Sequence, residues 1–121
     1  MRTLRFALAA LALHLGGCAV STEAHRFALG APRSPTREVA LFDGVPTRPY
    51  VEAGFVQALA YGATSGDAVV VALRREAAAM GCDAVARVRL DLADGIVHAA
   101  GVCVGWVELP PVGPPATNQD P

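Results

Sequence analysis

The 121-residue chain contains no lysine, and all ten of its basic side chains are arginine. We read that as genome composition. The arginines are scattered, with no basic stripe and no aromatic–arginine interleaving, so nucleic-acid binding has no electrostatic support. Aromatic residues make up 6% of the chain. No apolar run approaches the roughly 20 residues that a helix needs to span a bilayer. A Gly-rich phosphate loop, a His-x-x-x-His pair and a Cys-x-x-Cys pair are all missing, and no serine or threonine has an identifiable base beside it. The pattern therefore argues against an enzyme and calls for no cofactor and no metal. With three cysteines in all, a dense disulfide framework is excluded too, but one pair remains available.

What is present begins at the N-terminus. Arg2 and Arg5 make a short positive start, and Phe6 to Leu15 (FALAALALHL) is apolar except for His14. This is the outline of a cleaved export signal. Leu15-Gly16-Gly17-Cys18 follows and resembles the lipobox of bacterial lipoproteins, in which an apolar residue and two small ones precede an obligatory cysteine. The small residues admit the backbone to the peptidase cleft. The Cys18 thiol would accept a diacylglycerol, and the new amino terminus a further chain such as palmitate. Several chains on one residue give stable membrane anchoring, since each buried methylene contributes about 0.8 kcal/mol. An ordinary secretory signal with a chance cysteine is the competing reading. In lipoproteins an aspartate after the cysteine marks inner-membrane retention. Ala19 stands there instead, which points to the outer membrane of a Gram-negative cell, facing the periplasm. Removal of residues 1–17 leaves eight arginines against eleven Asp and Glu, a net charge of −3.

Composition divides the rest. Residues 18–36 carry the lipidated cysteine and a Ser-, Thr-, Pro- and Gly-containing stretch without periodicity, expected to be a flexible tether. Residues 108–121 contain five prolines and are expected to be a disordered tail. Between them, 37–107 has the pattern of one small α+β domain. Arg37–Phe42 and Gly54–Tyr61 read as strands. A helix follows, capped by Thr64 or Ser65, with Val69, Ala72, Leu73, Ala77 and Met80 on one stripe and Gly81 at its left-handed end. Asp83–Leu92 alternates with period two, Asp94-Gly95 supplies hairpin turn chemistry, and Ile96–Val107 is the partner strand. The expected order is β-β-α-β-β, one helix on one face of a four-stranded sheet.

If Asp91 pairs with Ile96, the helix side carries Ala84, Ala86, Val88, Leu90, Val97, Ala99, Gly101 and Cys103. The other face then carries Val85, Arg87, Arg89, His98, Val102, Val104 and Trp106, an uncovered surface suited to a protein partner or a second copy of the chain. Arg87, Arg89 and His98 would make an anion site there, or a solvated strand face with ordinary cross-strand pairs. Cys82 would lie diagonal to Cys103, and a bulge or a two-residue shift would bring them opposite. A bridge across this interval is worth roughly 3 kcal/mol and suits an exported chain. Two small buried thiols, or a metal pair with His98, are the alternatives.

Three short motifs, Gly54-Phe55-Val56, Gly81-Cys82-Asp83-Ala84-Val85 and Gly101-Val102-Cys103-Val104, resemble those of the YbjQ / RcsF-like group of small domains, which carries a heavy-metal-binding label. The resemblance covers about half of the chain. It implies a β-β-α-β-β fold, a turn in which Asp83 bonds backbone amides, and ligand binding, ring formation or envelope sensing. This chain departs from the RcsF-like members in having two domain cysteines rather than four and no long proline- and lysine-rich linker.

Overall fold

A computed structural model describes residues 20–27, 33–62 and 65–113. Leu15, Gly16, Gly17 and Cys18 lie outside them.

The fold is α+β, with one helix against a mixed five-stranded sheet. The strands are β1 (Ser21–Arg26), β2 (Ala40–Leu41), β3 (Tyr50–Tyr61), β4 (Ala84–Ala93) and β5 (Ile96–Trp106), and the helix is α1 (Gly66–Met80). The sheet order is β1-β3-β5-β4-β2. All neighbours are antiparallel except β2, which runs parallel to β4.

Local chemistry explains α1. The Ser65 hydroxyl accepts the Ala68 N–H at 3.3 Å, and Asp67 stands in the first turn, where a negative charge meets the positive end of the helix dipole. Gly81 takes φ +86° and donates to the carbonyls of Ala77 and Ala78. Val69, Leu73, Ala77 and Met80 are buried against the sheet; Ala72 is half-buried. The sheet answers with Val56, Ala58, Ala60, Val97, Ala99 and Cys103, all buried. Small residues on both sides let helix and sheet approach closely.

The β4–β5 register differs from expectation in two ways. Asp94 and Gly95, both at positive φ, form a two-residue turn that closes the hairpin at Ala93↔Ile96, so Asp91 faces His98. Such a turn fixes the first pair directly. Further along, a bulge between Ala86 and Arg89 inserts a residue, with Arg87 at φ +53°. A bulge reverses the parity of everything beyond it. Val85 therefore pairs with Cys103 on the helix side, while Ala84 and Ala86 pair with Val104 and Val102 on the other.

The second correction concerns the expected tether. Its residues Ser21–Arg26 are an edge strand paired along β3 from Ser21↔Leu59 to Arg26↔Gly54. Val20 and Ala24 pack on the core, and the Thr22 hydroxyl donates to Glu76 of α1 at 2.9 Å. Two apolar contacts are too few to register as a pattern, and β3 supplies the rest through backbone pairing. Residues 33–36 are also engaged: Thr36 N–H donates to Ala78 O at 2.9 Å and its hydroxyl to Cys82 O at 2.6 Å. The expected first strand, Arg37–Phe42, shortens to the two residues of β2. Residues 107–113 carry no regular structure.

At Gly54 the β1 backbone and the end of α1 leave no room for a side chain on β3. A Cβ there would collide with the His25 carbonyl oxygen and with Met80 Cε. Gly54→Ala is expected to destabilise by about 1–3 kcal/mol, the usual cost of overpacking. Hydrogen exchange should show β1 amides losing more protection than those of β4; equal losses would mean that β1 does not depend on this approach.

Candidate functional site

The face of the sheet away from α1 is built from alternate residues of four strands. His25 and Glu23 come from β1, Phe55, Gln57 and Leu59 from β3, His98, Ala100 and Val102 from β5, and Arg89 and Asp91 from β4. Register places them in rows: Glu23↔Gln57↔Ala100↔Arg89, and Leu59↔His98↔Asp91.

A polar chain crosses this face. His98 Nε2–H donates to the Gln57 side-chain oxygen at 3.1 Å. The Gln57 amide donates to Glu23 at 2.6 Å. Glu23 also accepts from His25 Nε2 at 2.8 Å. These two donors, His25 first and then Gln57, together with the His25 charge, hold the Glu23 carboxyl below its ordinary value of 4.5. Glu23 can only accept, so the Gln57 NH2 must point to it and the Gln57 oxygen to His98. The other His98 nitrogen, Nδ1, lies 4.0 Å from Asp91. Beside the chain is a cavity of about 320 Å³ lined by Ser21, Thr22, Glu23, Gln57, Leu59 and His98. The Ser21 hydroxyl donates to Leu59 O at 3.4 Å, so it is turned to the backbone and not to the imidazole.

The expected partner surface is assembled only in part. Arg87, Arg89, His98 and Val102 reach or border the open face, the first two exposed and the others half-buried. Val85 does not: the bulge turns it into the core, where it is fully buried. Val104 has the predicted orientation but is also fully buried, within a second cluster of Ala84, Ala86, Phe42, Tyr50, Val102 and Trp106. The segment Phe42–Tyr50 covers this end. Phe42 meets Trp106 edge-on at 6.4 Å and 82°, and the Arg48 guanidinium sits 4.9 Å from the Trp106 ring centre. Trp106 is thus packed into the domain. The expected anion site does not converge either, because Arg87 is bonded to Glu52 at 2.7 Å and His98 to Gln57. Glu23, His25, Gln57 and Asp91 were missed. The only trace of β1 in the sequence is that Val20 and Ala24 share one parity, too short a pattern to read as a strand, and nothing in the sequence marked Gln57 or Asp91.

Cys82 and Cys103 are joined by a disulfide with Cα atoms 5.4 Å apart. Cys82 is not within β4 but in the turn leaving α1, and both residues are fully buried. The bridge removes the two thiols that a soft-metal site would have used. Among the described residues, no group of three His, Cys, Asp or Glu side chains stands close enough to hold a metal ion.

No family model, curated protein or solved structure matches this chain.

Asp83 has a firm structural role. One carboxylate oxygen accepts the Trp106 backbone N–H at 2.7 Å and Arg33 at 2.5 Å. Arg33 also donates to Gly81 O at 2.9 Å. The amide that Asp83 holds belongs to β5, so the carboxylate ties the helix exit to the neighbouring strand.

Proposed function

We propose that the chain is an exported, lipid-anchored envelope protein whose domain binds rather than catalyses. It would be held by Cys18 at the outer membrane, facing the periplasm, with the open sheet face turned to a protein partner. The observation that carries this reading is the buried Cys82–Cys103 disulfide, taken with residues 1–18, whose pattern resembles an export signal and a lipobox. Disulfides persist in oxidising compartments such as the periplasm, so bridge and signal agree on destination. Support for binding comes from the face itself. It combines half-buried Phe55, Leu59 and Val102 with charges of both signs and a connected polar chain, the mixture typical of protein interfaces.

The test is metabolic labelling with an alkyne fatty acid in a bacterial host, followed by mass spectrometry of the N-terminal peptide. The expected product starts at Cys18 and carries acyl chains, and Cys18→Ala abolishes both label and processing. A mature peptide bearing an unmodified Cys18 would overturn the reading. Thiol titration after denaturation without reductant should find no free thiol from Cys82 or Cys103. Light scattering then tells a second copy from a different partner.

A further inference from the structure

We infer that one end of the domain, formed by Val20, Tyr61, Leu92 and the first turn of α1, rests on a zwitterionic lipid surface. This deepens the proposed function, since it requires Cys18 to be acylated. The first argument is reach. Val20 packs on the core, and two residues span at most about 7 Å. The acylated Cα would therefore lie within that distance of the folded domain. A free tether through residue 36 would have reached about 60 Å, whereas strand β1 begins three residues after the anchor and leaves no such freedom.

The second argument is which end lies there. Ser21 pairs with Leu59, and Tyr61 pairs with Ile96. Across the hairpin, Ile96 pairs with Ala93 and Val97 with Leu92. Gly66, at the start of α1, is adjacent to Leu90. All of these share the sheet end at which β1 begins, beside Val20. That end displays Tyr61 at 63% exposure and Leu92 at 68%. Val71, also exposed, borders a cleft of about 400 Å³ with Val20, Thr22 and Ala72. Tyrosine favours the membrane–water boundary, where its ring is buried and its hydroxyl stays wet. Leucine gains by leaving water.

Charge selects the lipid. Asp67, Asp91 and Asp94 are exposed at this end, with Glu76 and the single cation Arg75 in the cleft, so the end is net negative and an anionic surface would repel it, while a zwitterionic one accepts the apolar side chains without that penalty. Val51, exposed to 51%, lies at the opposite end, paired with Gly105, and serves as the internal control.

The experiment uses the acylated full chain in phosphatidylcholine vesicles. Leu92→Cys, Tyr61→Cys and Val51→Cys are each labelled with a polarity-sensitive fluorophore and quenched with aqueous iodide. The labels at 92 and 61 are expected to be quenched about threefold less than that at 51, as for groups sunk into the headgroup region, and added anionic lipid should not increase the protection. Equal quenching at all three sites, with acyl chains present on the N-terminal peptide, overturns the docking and leaves the anchor standing. An N-terminal peptide without acyl chains instead removes the reading on which the docking rests. Protection that persists in the vesicle-free Cys18→Ala chain assigns this end to a protein contact and also overturns it.

Discussion

Replacing Cys82 and Cys103 together by alanine is expected to cost the domain about 3 kcal/mol, which for a domain of this size lowers Tm by roughly 12–25 °C. The interval closed is 21 residues, and it spans the whole of β4 and the hairpin turn. Without the bridge, the unfolded chain regains that loop entropy. The folded core around the sulfurs is made largely of alanine and valine, so it has little other apolar surface to offset the loss. Both cysteines are fully buried, and reductant should act slowly until denaturant is added. Calorimetry on the double variant beside the parent checks the prediction. A shift of only a few degrees would mean that the bridge locks a geometry the sheet already holds.

The second large effect is at Asp83. Asp83→Ala is expected to destabilise by about 2–4 kcal/mol, because it leaves the Trp106 N–H without its acceptor and the Arg33 guanidinium without its counter-charge. The Asp83 side chain is 22% exposed and that of Arg33 34%. Screening at the arginine end makes Arg33→Ala the milder change, near 1 kcal/mol. Asp83→Asn keeps an oxygen for Trp106 and should fall between the two. Urea unfolding of the three variants orders them. A cost for Arg33→Ala equal to that for Asp83→Ala would shift the weight from the backbone amide to the ion pair.

Arg33 also limits its surroundings. A Cβ on Gly105 would strike the Arg33 guanidinium, and one on Gly81 would press on Ser34 O. Residues 33–36 over the helix exit, the disulfide and the last strand are therefore one packed unit, and the hydrogen bond from Thr36 to Cys82 O extends it across the bridge. The contacts of that unit link residues far apart in the chain, such as 33 with 83 and 36 with 82, and the unit had no outline in the amino-acid order.

Sequence alone determined the elements whose chemistry is local. Ser65 and Gly81 bound α1 because a hydroxyl and a left-handed glycine satisfy groups within one helical turn. Asp94-Gly95 made the hairpin because two adjacent residues tolerate positive φ. Cys82 and Cys103 were legible as a pair, and Arg89, His98 and Val102 as residues of the open face. Tertiary structure decided everything that depends on a distant partner. Ser21–Arg26 carries little apolar pattern of its own and is a strand because the edge of β3 needs one. The bulge at Arg87 turned Val85 inward, and the Phe42–Tyr50 segment covered Val104. With β1 in place, Glu23 and His25 joined Gln57 and His98. The physical reason is range: caps and turns are set by neighbouring residues, whereas pairing, register and burial are set by whichever strand lies alongside.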